Sequence, residues 1–250
     1  MKPLLLVTGG SRGIGAATAR LAAQRGWAVA INYANAASAA DTLVRDIVRA
    51  GGEAAAFRAD VADDAQVRAL FTAVDDHFGA SRLRGLVNNA GIGDAAARVD
   101  EMSAERVARI FAVNVFGSFG CAREAVRRMS TRHGGSGGAI VNVSSRAAQR
   151  GSPGIYVDYA ASKAAIDNFT HGLALEVADE GVRVNGVRPG IIDTEIHASV
   201  GMANRVREIA PTLPMQRAGS ADEVAQAILW LLSDEASYIT ATLLDVGGGR

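Results

Sequence analysis

The stretch Leu4-Leu5-Leu6-Val7-Thr8-Gly9-Gly10-Ser11-Arg12-Gly13-Ile14-Gly15 decides the fold. Four apolar residues make a short buried strand, a glycine cluster ends it, and a helical pattern over Ile14–Arg25 begins at once. Glycines in such a turn let the backbone come close to a ligand, and the helix amino terminus offers free N–H groups and a partial positive charge. The spacing Gly-x-x-x-Gly-x-Gly, carried by Gly9, Gly13 and Gly15 with Ser11, Arg12 and Ile14 between them, therefore reads as a loop that cradles phosphate. Taken alone, the same glycines could serve only the tight packing of strand on helix.

Working outward, short apolar runs alternate with helical patterns along the whole chain. Leu4–Val7, Ala28–Ile31, Ala54–Ala59, Leu86–Asn88, Ala139–Val143, Val182–Val187 and Leu243–Val246 read as buried strands. Ile14–Arg25, Ala37–Ala50, Asp64–Phe78, Ala104–Met129, Tyr159–Ala178 and Asp222–Leu232 read as helices. Ser103 and Ser220 are placed to start two of them, and Gly26 and Gly51 to stop two. Strands separated by helices need crossovers, which predicts an α/β fold: a doubly wound, mostly parallel, seven-stranded sheet with helices on both faces. Ligands bind such sheets at the carboxyl ends of the strands. With no linker, charge block or repeat, residues 1–250 read as a single domain. Residues 191–215 fit neither period and are a candidate substrate lid, and the Gly-rich piece His133–Gly138 reads as a flexible loop.

Composition narrows the partners. The 26 Lys+Arg balance 26 Asp+Glu, which argues against nucleic acid or an anionic membrane. The longest apolar run, Ala227–Leu232, is far short of a membrane helix, and the amino-terminal run is too short for a signal peptide. The single cysteine, Cys121, fits a reducing compartment, so the expected location is the cytoplasm.

A dinucleotide would need a reader for its adenosine ribose after the second strand, where an acidic residue favours NAD. This chain has Asn32-Tyr33-Ala34-Asn35 there and no carboxylate until Asp41. NADP is thus permitted, and Arg12 could pair with its extra phosphate. The basic residues carry a further signal: 24 are arginine, and the only lysines are Lys2 and Lys163. Lys163 lies four residues after Tyr159, on the same helix face, where its ammonium favours the phenolate. None of the other three tyrosines has this partner. Ser144-Ser145 end the fifth strand, Asn88-Asn89-Ala90-Gly91 follow the fourth, and Asn114 lies within a helix where an asparagine must be paired.

In this order, Thr8-Gly-x-x-x-Gly-Ile-Gly15, Asn88-Asn-Ala-Gly91, Asn114, the serine pair, Tyr159-x-x-x-Lys163 and Arg188-Pro189-Gly190 resemble the signature of the short-chain dehydrogenase/reductase family, in its single-domain branch. The resemblance covers essentially the whole chain and implies a Rossmann-type sheet and an oxidoreductase acting on a small carbonyl or alcohol. It makes Tyr159 the general acid, Lys163 its activator and the holder of the nicotinamide ribose, Asn114 the anchor of a relay water, and Ser145 the serine that polarises the substrate. It puts Asp60 and Val61 beside the adenine, Asn88, Ala90 and Gly91 beside the cofactor, and Pro189, Gly190, Ile192 and Thr194 around the nicotinamide. It also implies a homotetramer. Two departures stand out: Ser145 precedes Tyr159 by 14 residues, one more than in many relatives, and Asn35 stands where NADP users often carry arginine. The expected cofactor is NADP, with NAD as the alternative. The rival functions are an NAD-dependent sugar or polyol dehydrogenase and a non-catalytic nucleotide sensor. Asp193, Glu195 and His197 alternate like metal ligands, but solvent or substrate contact is the expected role and no metal is expected.

Overall fold

The structure, a computed structural model, describes residues 1–194 and 205–250. Strands β1 (Leu4–Val7), β2 (Ala28–Tyr33), β3 (Glu53–Arg58), β4 (Leu83–Asn88), β5 (Gly138–Val143), β6 (Val182–Pro189) and β7 (Leu243–Val246) form one sheet. Their spatial order is β3-β2-β1-β4-β5-β6-β7, and every neighbouring pair is parallel. The sheet is thus wholly parallel, and the order reverses between β1 and β4, opening a crevice at their carboxyl ends.

Alternation along the strands builds two cores. Leu4, Leu6, Leu86 and Ile140 face one side, packing against α3 (Asp64–Phe78), α5 (Gly117–Met129) and α7 (Val157–Val177). Leu5, Val7, Val87 and Val141 face the other, against α1 (Gly13–Gln24), α2 (Ala37–Arg49) and α9 (Ala221–Leu232). The expected caps are present: Ser103 accepts from the Arg106 amide at 3.2 Å, and Ser220 and Glu223 close a capping box at 3.2 and 2.8 Å. Gly26 and Gly51 end α1 and α2 with φ of 88° and 82°.

Some boundaries differ from the sequence pattern. Strand β4 begins at Leu83, because Gly85 is a packing glycine inside it: an added Cβ would lie 2.6 Å from Leu5 Cδ1. The helix expected over Ala104–Met129 is divided into α4 (Ala104–Phe111), a single π turn at Ala112–Phe116, and α5. Helix α7 begins at Val157, two residues earlier than expected, and a short helix α6 (Ala147–Arg150) precedes it. In the segment expected to be a lid, Ile192–Asp193 pairs with Gly219–Ser220 in a small parallel sheet, and α8 spans Arg205–Ile209. Glu195 and His197 lie outside the described residues. No helix among the described residues is long and apolar enough to cross a membrane.

Candidate active site

The crevice holds a cavity of about 440 Å³. Its floor is the glycine loop, where Gly9, Ser11, Arg12, Gly13 and Ile14 line it. Gly9 has φ +58°, and a Cβ there would meet Ala90 Cα at 2.9 Å, so only glycine fits. The loop is braced from both sides. Thr8 Oγ1 accepts the Asn89 and Ala90 amides at 3.0 Å, and Asn89 Nδ2 donates to the Thr8 and Gly9 carbonyls at 3.0 Å. On the other side, Asn32 accepts the Gly9 amide at 3.3 Å and donates to Ala59 O at 3.0 Å. One buried asparagine thereby ties the carboxyl ends of β1, β2 and β3 together.

Along the wall run Asn32 and Tyr33 at the end of β2 and Asn35 after it, Asp60 and Val61 after β3, Ala90 and Gly91 after β4, and Thr194. Among the lining residues that the sequence did not assign to the site, two carry polar side chains. Asn89 is one. The other is Arg109 on α4, whose guanidinium meets Asp60 Oδ2 at 3.0 Å. Nothing local in the sequence marks Arg109, since the pairing crosses 49 residues.

Asn88 lies off the cavity. It was expected against the cofactor, but it is 3% exposed and donates to Asn142 Oδ1 at 2.9 Å and Ser118 O at 3.3 Å. It shares the strand face of Leu86, which points into the core, and the next residue, Asn89, turns to the cavity instead. Gly15 also lies off the cavity: its missing side chain leaves room for Asn89 Nδ2 and Gly9 O, each 2.6 Å from where a Cβ would sit. Pro189, Gly190 and Ile192 stand behind the wall, with Ile192 5% exposed in the core and Gly190 packed against Gly247.

Gly91 joins the cavity to the residues expected to do chemistry. A Cβ on it would lie 3.3 Å from Lys163 Nζ and 3.4 Å from Asn114 Oδ1. Lys163 is 5% exposed, donates to Val143 O at 2.7 Å, and sits 5.7 Å from the centre of the Tyr159 ring. Burial pushes its ammonium down to about 8, opposed by the carboxylate of Asp167. Burial pushes the Tyr159 phenol up to about 12, while a hydrogen bond from Ser145 pulls it down and Tyr156 adds to the rise. The two serines separate cleanly. Ser145 bonds to the phenol, whereas buried Ser144 donates to Lys163 O at 3.1 Å and fastens α7 to the end of β5. Asn114 is 1% exposed and held by Ile92 and Ser162, with its Oδ1 accepting the Ile92 amide at 2.8 Å. Its own carbonyl accepts from Ser118 Oγ at 3.0 Å within the altered ladder of the π turn.

A glycine floor that admits no Cβ, a helix amino terminus and a crevice at the switch point together fit a dinucleotide. Among the described residues no cluster fits a metal ion. His77 is exposed and packs edge-on against Phe57 and Phe78, and Cys121 is fully buried with its thiol pushed up to about 12.

Fold and site define a nicotinamide-dependent oxidoreductase, and the chain belongs to the short-chain dehydrogenase/reductase family. The family model described as enoyl-(acyl carrier protein) reductase matches residues 9–250. The chain is 56% identical over 247 residues to the uncharacterized oxidoreductase YgfF of Escherichia coli (strain K12), covering 99% of both. It is 42% identical over 246 residues to 3beta-hydroxysteroid dehydrogenase 1 of Eggerthella lenta, covering 98% of this chain and 92% of that one. Among solved structures, a short-chain type dehydrogenase/reductase from Mycobacterium marinum superposes with a TM-score of 0.91 at 32% identity, over 99% of this chain and 94% of that one.

Proposed function

We propose that the protein is an NADP(H)-preferring oxidoreductase that interconverts a carbonyl compound and a secondary alcohol, with Tyr159 passing the proton. The observation that carries this reading is the meeting of Ser145, Tyr159 and Lys163 behind Gly91, at the edge of the cavity. At neutral pH the buried phenol keeps its proton, so Tyr159 stands ready as a general acid for reduction. Ser145 orients the substrate oxygen beside that phenol, and Lys163, still largely charged at pH 7, favours the phenolate left after proton transfer. Asn114 holds the loop at Ile92 and, through a water, carries the proton path away from Lys163. The glycine loop and the start of α1 hold the pyrophosphate, Lys163 the nicotinamide ribose, Asp60 and Val61 the adenine, and Thr194, with Pro189, Gly190 and Ile192 behind it, the nicotinamide side. The nicotinamide, when bound, supplies or accepts the hydride.

The NADP preference rests on the absence of a carboxylate after β2 and on Arg12, exposed on the glycine-loop floor of the cavity. Asn35 in place of an arginine favours the second reading, an NAD-dependent sugar or polyol dehydrogenase. A homotetramer is supported by Phe116, Phe119 and Leu175, apolar side chains left 65%, 48% and 63% exposed on the π turn, α5 and α7. A single domain and a cytoplasmic location complete the proposal.

Tyr159→Phe tests the mechanism: turnover is expected to fall at least about 100-fold with cofactor binding nearly intact. A variant with near-normal turnover refutes it. Fluorescence titration with NADPH and NADH tests the preference, and tighter NADH binding refutes it.

A further inference from the structure

Helix α7 carries Tyr159, Lys163 and Asp167 at i, i+4 and i+8, a single line of phenol, ammonium and carboxylate on one face. Asp167 is 8% exposed, too buried for an idle charge. Its Oδ2 accepts from Arg188 Nε at 2.8 Å, which fixes the carboxylate against β6. Its Oδ1 is buried and has no hydrogen-bond partner among the described residues. Arg188 reaches on toward Asp245 on β7 at 3.6 Å, and Asp245 is 46% exposed and also meets Arg146. Both the mechanism and the cofactor contacts leave this buried pair unexplained.

We propose that Asp167 is a positioning residue of the reaction centre: fixed by Arg188, its carboxylate backs Lys163 from one helical turn away and keeps the charge on that ammonium. The need for it follows from the other neighbours of Lys163. From α7 comes the neutral phenol of Tyr159, from the end of β5 the Val143 carbonyl and Ser144, from the loop after β4 Gly91, and from the π turn the amide of Asn114. Arg188, on β6, pairs with the Asp167 carboxylate at 2.8 Å, and Asp167 is the one anion among these groups. The pull of Asp167 on Lys163 opposes the desolvation that drives it down. Had Asp167 been absent, Lys163 would lose its proton nearer neutral pH and could no longer favour the Tyr159 phenolate. Arg188 limits the effect by sharing the carboxylate, so the pair sets the ammonium between two bounds.

This inference rests on Lys163 being the reaction-centre ammonium, and its deciding readout is a titration that involves no turnover, so the two can fail separately. The chain has only two lysines, so side-chain NMR of lysine-labelled, cofactor-free enzyme shows Lys163 directly, with exposed Lys2 as the internal reference. In Asp167→Asn the Lys163 midpoint is expected to fall by about one pH unit or more, and the alkaline limb of kcat/KM should move down with it. In Arg188→Gln it is expected to rise, because the carboxylate is no longer shared. Asp167→Glu should restore the wild-type value. A purely structural pair would lower the melting temperature in both variants without moving the midpoint in opposite directions. An unchanged midpoint in Asp167→Asn, or a shift of the same sign in both variants, overturns the proposal. If Asp167→Asn does not fold, the sign in Arg188→Gln decides alone: a rise supports the proposal, and no change or a fall overturns it.

Discussion

Replacing Asn114 with alanine measures its role as a brace. The side chain is 1% exposed and makes three hydrogen bonds: from the Ile92 amide at 2.8 Å, to the Ile92 carbonyl at 3.0 Å and to Ser162 Oγ at 3.0 Å. Ile92 lies in a half-buried loop that water reaches, so each of its lost bonds costs about 1 kcal/mol net. Ser162 is fully buried, and its hydroxyl keeps only the donation to Tyr159 O at 2.7 Å. That adds about 1 kcal/mol, for a total near 3 kcal/mol. At roughly 2–4 °C per kcal/mol for a chain of this size, Asn114→Ala should melt about 6–12 °C lower. Ser162→Ala, which loses one bond to Asn114 and one to Tyr159 O, should melt about 4–8 °C lower. The double variant should cost less than the sum, since the two share a bond. Thermal unfolding followed by circular dichroism, without cofactor, measures all three. An Asn114→Ala melting point within about 2 °C of wild type, or strict additivity in the double variant, refutes the account.

Three further outcomes follow from the site. Ser145→Ala should lose about 100-fold in kcat, whereas Ser144→Ala should keep turnover and lose about 1 kcal/mol in denaturant unfolding; the reverse pattern would exchange the two serines. The lowered Lys163 carries a definite sign: its burial penalty is present below about pH 8 and is relieved as pH rises toward the unfolded value of 10.5. Lys163→Met should therefore melt a few degrees higher than wild type at pH 7, with the gap narrowed but still open at pH 9, while turnover is lost; a lower melting point at both pH values contradicts this. Cys121, 0% exposed, should not react with a thiol reagent until the protein unfolds, and prompt labelling of the native protein would contradict its burial.

Period and turn chemistry made the sheet legible. Each apolar run became a strand of the parallel sheet, and Ser103, Ser220, Gly26 and Gly51 cap the expected helices. The i,i+4 rule by itself puts Tyr159 and Lys163 on one helix face. What the pattern missed depends on long-range partners. The π turn leaves the apolar spacing of Ala104–Met129 almost unchanged, because one added residue is absorbed within a broad buried stripe. Arg109 and Asp60 meet across 49 residues that include α3 and β4, which no local window spans. The exchange of Asn88 for Asn89 was readable in principle: β4 pairs Leu86 with Ile140 and Asn88 with Asn142, so parity alone turns Asn88 inward.

The π turn also restricts how the length of this chain can change. A regular helix rotates about 100° per residue, so one residue more or less turns everything downstream by that angle. Upstream of the turn, Ser103 and Arg106 anchor α4, with Arg106 bonded to buried Asp158 at 2.7 Å beside Tyr159. Downstream, Cys121, Ala122 and Ala125 on α5 are locked into the core. Both ends are pinned, so deleting one residue between them would yield a more ordinary helix that cannot satisfy both anchorages at once. For anyone aligning, trimming or recombining such chains, residues 112–116 are thus a point of fixed length, although their sequence looks like uninterrupted helix.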